Sequence, residues 1–240
     1  MNYAILLSGG VGTRMRSDGF PKQYIEIDGK PIILYALEPF AACQSIDHIV
    51  IVASEQWKPQ IQQWLQDYQI TKSVTFAESG NTRQESILNG LSACAAIRQP
   101  ADADKVIIHE AVRPLVSLRI IQDCLLALDQ YDCCMPAIPI SDSTFLSEDR
   151  VCVSQLIDRD RLCCGQSPEA FRFKPYWEVH QACSTEELRS MRASCELPFI
   201  KGYTVGLVEG DRSNFKITHP SDLTLFKAYL YAKTLPQELA

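Results

Sequence analysis

Ala4-Ile-Leu-Leu-Ser-Gly-Gly-Val-Gly-Thr-Arg-Met-Arg16, followed by Pro21-Lys22-Gln23-Tyr24, is the stretch whose reading decides the fold. Residues 3–8 are short, apolar and bounded by glycine, which predicts a buried central strand of a parallel sheet. Gly9, Gly10 and Gly12 remove side chains where a backbone must come close to a ligand. Consecutive free N–H groups in such a loop form an anion-binding concavity. Arg14 and Lys22 add full positive charge beside it. Two better-known glycine motifs fail here. The dinucleotide fingerprint would need glycine where Met15 stands, and no Gly-Lys-Ser/Thr tripeptide completes a P-loop.

Working outward, strand and helix patterns alternate. Asp28-Gly29-Lys30 reads as a turn, and Pro31 opens a helix reaching Ala42. Strands are expected at 48–53, 74–77, 105–109 and 133–138. Helices are expected at 58–68, 81–98 and 118–128, from apolar residues at helical spacing. This alternation predicts a parallel sheet covered on both faces, with ligands gathering beyond the carboxyl ends of strands. The loops near Ser8, Glu78 and Glu110 all follow strands. Residues 140–167 break the pattern and suggest a hairpin or arm. Helices at 174–183 and 185–192, a strand at 203–208 and a helix at 221–232 close the chain. With no linker, repeat or low-complexity segment, residues 1–240 read as a single domain carrying an arm at 140–167.

The chain has 240 residues, 46% of them hydrophobic and 22% charged, with a formal net charge of −6. An acidic balance argues against general nucleic-acid or anionic-membrane binding. A polyanionic ligand would therefore need a local positive field. The ten cysteines include the adjacent pairs Cys133-Cys134 and Cys163-Cys164, and none has zinc spacing. Neither a signal peptide nor a membrane span is expected, and free thiols suit a cytoplasmic location. Arg14, Lys22, Arg83 and Arg113 follow strands, as a triphosphate site would require. Glu110, immediately after a strand, has two open readings: an Mg²⁺ ligand, or an ion pair with Arg113.

The opening stretch resembles the signature of sugar-nucleotide-type nucleotidyltransferases. Within them it is similar to the cytidylyltransferases acting on 2-C-methyl-D-erythritol 4-phosphate or ribitol 5-phosphate. Further segments in the same order carry the resemblance: Gly80-Asn-Thr-Arg-Gln-Glu-Ser86, His109-Glu-Ala-Val-Arg-Pro114, Asp142-Ser-Thr144, Asp158-Arg159, Gly165-Gln-Ser-Pro-Glu-Ala-Phe171 and Asn214-Phe-Lys-Ile-Thr218. It implies a Rossmann-like α/β nucleotidyltransferase fold with a mostly parallel twisted sheet and a protruding β-arm.

The resemblance also implies Mg²⁺-dependent transfer of CMP from CTP to a small polyol phosphate, with pyrophosphate released. By that resemblance Arg14 and Lys22 are catalytic. Leu7, Ser8, Gly9, Gly10, Gly12, Thr13, Arg14, Lys22, Gly80, Asn81, Arg83, Ser86, Glu110 and Ala111 hold the nucleotide. Arg113, Thr144, Arg159, Ser167 and Lys216 hold the acceptor, and Glu110 and Asp211 hold the metal. The implied assembly is a homodimer through the arm, with Arg159 serving the neighbour's site. The departures lie mostly on the acceptor side. Glu110 stands for the family's aspartate, Ser167 for threonine and Glu169 for glutamine, while Ser194-Cys-Glu-Leu-Pro198 replaces an acidic Thr-Asp-rich segment. Two alternatives remain: a non-catalytic nucleotide-binding or regulatory protein, and a nicotinamide-dependent oxidoreductase, which Met15 disfavours.

Overall fold

The computed structural model describes residues 1–10 and 20–234. Strand β1 (Asn2–Leu7) leads through the glycine loop to a small hairpin, β2 (Glu26–Ile27) and β3 (Lys30–Pro31). Its turn places Asp28 and Gly29 at φ of 52° and 78°, the left-handed pair that a type I′ hairpin needs and that Asp-Gly supplies. Then follow α1 (Ile32–Ala42), β4 (His48–Ala53), α2 (Lys58–Asp67), β5 (Val74–Glu78), α3 (Arg83–Ile97), β6 (Lys105–Glu110), α4 (Leu118–Ala127) and β7 (Cys133–Pro139). The arm contains only β8 (Phe145–Leu146) paired with β9 (Gln155–Leu156). The chain returns as β10 (Cys163–Gly165) and β11 (Glu169–Arg172). It ends with α5 (Phe173–Ala182), α6 (Thr185–Ser190), α7 (Glu196–Ile200), β12 (Val205–Glu209) and α8 (Pro220–Thr234).

Among the described residues the central sheet has eight strands. β1 lies between β4 and β6, parallel to both, and β5 extends the row parallel to β4. Alternation along β1 divides the core. Ala4 and Leu6 pack with Leu34, Leu37, Ile61 and Ile121 on one face, and Tyr3 and Ile5 with Ile87, Leu91 and Phe173 on the other. The period-2 side-chain geometry of a strand requires this split. Each such apolar side chain contributes about 1.5–3 kcal/mol relative to an exposed one. A third cluster, Ile27, Ile32, Ile217 and Phe226, seats α8 against the β2–β3 hairpin.

The sheet is mixed. β11 runs antiparallel to both β6 and β7, and β10 continues antiparallel along β7, while β12 is parallel to β7. Residues 163–165, expected within the arm, therefore belong to the central sheet, and a strand at 169–172 joins them. Both were hidden because the run is short and interrupted by Pro168, which cannot donate to a ladder. The helix expected from Asn81 begins at Arg83, because the Thr82 side chain caps it by accepting the Glu85 N–H.

Candidate active site

Four parallel strands, β1, β4, β5 and β6, end on the same edge of the sheet. Their following loops meet at a cleft of about 690 Å³, well within the range of small-ligand sites. Leu7, Ser8, Gly9 and Gly10 form one wall, together with Pro21–Tyr24. Ser79–Arg83, Ser86, Trp57, Glu110, Val112 and Lys216 complete the lining. The glycine loop is tied from below. Gln23 Nε2 donates to the carbonyls of Ser8 (2.6 Å) and Gly10 (3.0 Å), and the Tyr24 hydroxyl lies 2.7 Å from Ser8 Oγ. Trp57 packs on Tyr24, with ring centroids 4.4 Å apart.

Two of the glycines also let the loops pack closely. A Cβ on Gly9 would lie 2.3 Å from Ser79 Cβ, so its hydrogen lets two loops touch each other. A Cβ on Gly80 would lie 2.3 Å from Glu85 Cβ. A Cβ on Gly10 would meet nothing within 4 Å among the described residues, and Gly10 lines the cleft. The second loop is held by its own side chains: Gly80 N donates to Ser86 Oγ (3.0 Å) and Asn81 N to Glu85 Oε2 (2.8 Å). Ser86 thus shapes the wall as well as lining it.

Charges alternate across the floor. Glu110 accepts from Lys216 Nζ at 2.7 Å and Arg113 Nε at 3.1 Å, and Arg83 Nε stands 3.7 Å away. Burial opposes the charge on Glu110, but Lys216, Arg83 and Arg113 outweigh it and bring the carboxyl down to about 2. Arg83 in turn donates to Ser194 Oγ (2.7 Å) and Glu169 Oε1 (3.0 Å). Of the two readings left open for Glu110, the ion pair with Arg113 is present. Glu110 is the one acidic side chain among the described residues lining the cleft. Asp211 lies outside that lining and accepts from Ser213 N at 2.7 Å. No cluster of three metal-ligating side chains exists among the described residues. Glu110 is shared by three cations, so it would hold Mg²⁺ only together with the phosphates of a bound ligand.

Beneath the floor, His109 is buried between two partners. Its Nε2 lies 3.0 Å from the Arg113 carbonyl, which can only accept, so Nε2 carries the proton. Nδ1 then accepts from Ser167 Oγ at 3.0 Å, and Ser167 Oγ accepts from Glu110 N at 3.3 Å. Burial lowers the His109 pKa to about 4, and that of the equally buried His180 to about 4. Both folded values lie below the ordinary unfolded value near 6.5. The unfolded chain therefore binds more protons between pH 6.5 and 4, and stability falls on acidification through that window. Urea unfolding at pH 7 and at pH 4.5 should show a clear drop in midpoint. Each histidine contributes up to about 3 kcal/mol, and a flat midpoint would remove this account.

The structure brings Leu7, Ser8, Gly9, Gly10, Lys22, Gly80, Asn81, Arg83, Ser86, Glu110 and Lys216 to one cleft. Gly12, Thr13 and Arg14 lie outside the described residues. Ala111 and Ser167 are displaced from their expected roles. Ala111 is fully buried with its N–H on the Leu7 carbonyl, and Ser167 is buried with its hydroxyl between His109 and Glu110. Arg113 acts from the floor, holding Glu110 and the Asn214 carbonyl. Thr144 and Arg159 sit on the exposed arm, bonded to the carbonyls of Asp142 and Ser141. Sequence reasoning missed Gln23, Tyr24, Trp57 and Ser194. The first two were within the opening motif, whereas no local signal marks Trp57 or Ser194.

The family described as "IspD: 2-C-methyl-D-erythritol 4-phosphate cytidylyltransferase" matches residues 3–232. A ribitol-5-phosphate cytidylyltransferase of Vibrio parahaemolyticus is 34% identical over 231 residues, 96% of each chain. One from Streptococcus pneumoniae is 31% identical, over 96% of this chain and 99% of its own. In fold, the 4-diphosphocytidyl-2C-methyl-D-erythritol synthase of Anaerococcus prevotii superposes with a TM-score of 0.80 at 23% identity, covering 96% of both chains. The Francisella tularensis 2-C-methyl-D-erythritol 4-phosphate cytidylyltransferase does so with a TM-score of 0.78 at 22% identity, covering 95% of this chain and 98% of its own. A glycine-loop cleft built on this sheet, in a chain matched along nearly its whole length, makes the protein a member of the IspD cytidylyltransferase family.

Proposed function

We propose that the protein transfers CMP from CTP to a small polyol phosphate, ribitol 5-phosphate in the first instance, and releases pyrophosphate. The carrying observation is the cleft itself, where Lys22, Arg83 and Lys216 line a space with one paired carboxylate. Relatives named for ribitol 5-phosphate favour that acceptor. Methylerythritol phosphate is the second reading, favoured by the family description.

An acceptor phosphate oxygen attacks the α-phosphorus of CTP in line, and the bond to the bridging oxygen breaks as pyrophosphate leaves. Both reactants are anions, so the protein chiefly positions them and offsets charge. Open backbone at Gly10 receives the triphosphate, and Lys22 with Arg14 stabilises charge developing on it. The 80–86 loop takes the base and ribose. Lys216 and Arg113, already fixed around an anion, take the acceptor phosphate. The nucleotide is proposed to enter as its Mg²⁺ complex, the ion held by phosphate oxygens and water. Thr144 and Arg159 are proposed to reach a second subunit's acceptor site, in a homodimer made through the arm.

A cytoplasmic location fits ten free cysteines, and no described helix is long and apolar enough to cross a membrane. The test is pyrophosphate release with each of four nucleoside triphosphates against ribitol 5-phosphate and 2-C-methyl-D-erythritol 4-phosphate. CTP with ribitol 5-phosphate should turn over fastest, and chelation by EDTA should stop it. Turnover with methylerythritol phosphate alone selects the second reading. Tight CTP binding without release from either pair would reject both.

A further inference from the structure

We propose that Glu169 is a positioning residue for nucleotide binding, fixing the Arg83 guanidinium in the cleft wall and fastening that wall to the turn at 194–195. This rests on the reading of the cleft as a CTP site. Three donors converge on the buried carboxylate. Arg83 Nη2 (3.0 Å) and the Ser194 hydroxyl (2.7 Å) reach Oε1, and Cys195 N (2.8 Å) reaches Oε2. Arg83 Nη1 also donates to Ser194 Oγ at 2.7 Å. Arg83, Ser194 and Glu169 therefore close a ring of hydrogen bonds that holds the guanidinium at two nitrogens and fixes its plane.

The ring requires a group that only accepts. Glutamine has one oxygen, and its NH₂ would face either Cys195 N or the Arg83–Ser194 pair. Charge matters equally, because Arg83 stands between Glu169 and Glu110. Held by Glu169, its Nε remains 3.7 Å from Glu110 Oε1, outside hydrogen-bond range. Glu110 is thereby left to Lys216 and Arg113. Gln84 Nε2, donating to the Ala193 carbonyl at 2.8 Å, fastens the same turn to the start of α3.

Three roles for Glu169 give different outcomes in Glu169→Gln. As a positioning residue, its loss frees Arg83 to close on Glu110. The KM for CTP should then rise about tenfold with kcat within about threefold, whatever the change in melting temperature. A purely electrostatic role would lower the KM for CTP, since a negative charge beside the phosphates is removed. A purely structural role would lower the melting temperature and leave KM unchanged. Either of these results overturns the proposal.

Ser194→Ala, which removes one member of the ring, should raise the KM in the same direction by about threefold. A crystal structure of Glu169→Gln should show Arg83 Nε within hydrogen-bond distance of Glu110. An unmoved guanidinium overturns the proposal whatever the kinetics. If the wild-type protein turns over no nucleotide, the CTP reading falls, and the crystallographic result still decides whether Glu169 holds Arg83.

Discussion

Replacing Lys22 by alanine is expected to lower the rate of pyrophosphate release at least about 10²-fold, the scale of losing one transition-state donor. The argument is one of placement. Lys22 opens the short 3₁₀ turn Lys22–Tyr24, and its two successors are bonded to the glycine loop through Gln23 and Tyr24. Its Cα is thus carried at a fixed position relative to Ser8 and Gly10. Because the side chain is mostly buried, alanine also removes packing. Lys22→Met keeps an unbranched apolar stem and deletes the charge, so it should lose as much activity while keeping more of the packing than alanine does. The loss should fall on kcat and kcat/KM together, as when a transition-state contact is removed. Near-normal turnover in Lys22→Met would take Lys22 out of the catalytic set.

Glu110→Gln should have the largest effect on stability. The carboxyl titrates near 2 in the folded protein and near 4.5 when unfolded. A depressed carboxylate contributes stability fully present above the unfolded value and lost as pH falls from about 4.5 to about 2. At neutral pH this contribution is on the order of 3 kcal/mol. Its removal also leaves Lys216, Arg113 and Arg83 facing one another. For a chain of this size the melting temperature should drop about 6–12 °C at low salt. Inorganic phosphate should restore part of the loss in the variant and do less for the wild type, because an external anion would replace the missing one. A melting temperature within about a degree of wild type at low ionic strength would contradict the charge cluster.

The sequence made legible what depends on local pattern. β1, β4 and β6 announce themselves as short apolar runs, whereas the Thr82 cap that starts α3 at Arg83 is not marked by apolar spacing, which places the helix start at Asn81. What it hid depends on long-range pairing. β11 has a charged residue at each end, Glu169 and Arg172, and a proline before it. Only the neighbouring β6 and β7, bonded to it by Ala170 and Phe171, make it a strand. The site shows the same division. Gly10, Lys22 and Gly80 are readable from one loop each, but the roles of Ser167 and Ala111 are set by burial beneath residues distant in sequence. Glu169 stands in a short motif with no mark of its own. Its meaning appears only beside Arg83 and Ser194, 86 and 25 residues away.

Pro139 of β7 and Cys163 of β10 are directly paired, antiparallel neighbours. Residues 140–162 therefore leave the sheet and re-enter it at the same rung, as an insertion in what would otherwise be a tight hairpin. The rest of the sheet keeps its register whatever lies in between, and closing such a loop costs free energy that grows only with the logarithm of its length. Because β7 runs parallel to β6, the excursion leaves on the same edge of the sheet as the cleft, and it can lengthen, shorten or change sequence without altering the pairing of the strands that carry the cleft. The fold lets a surface excursion vary while the strands beside it keep their places.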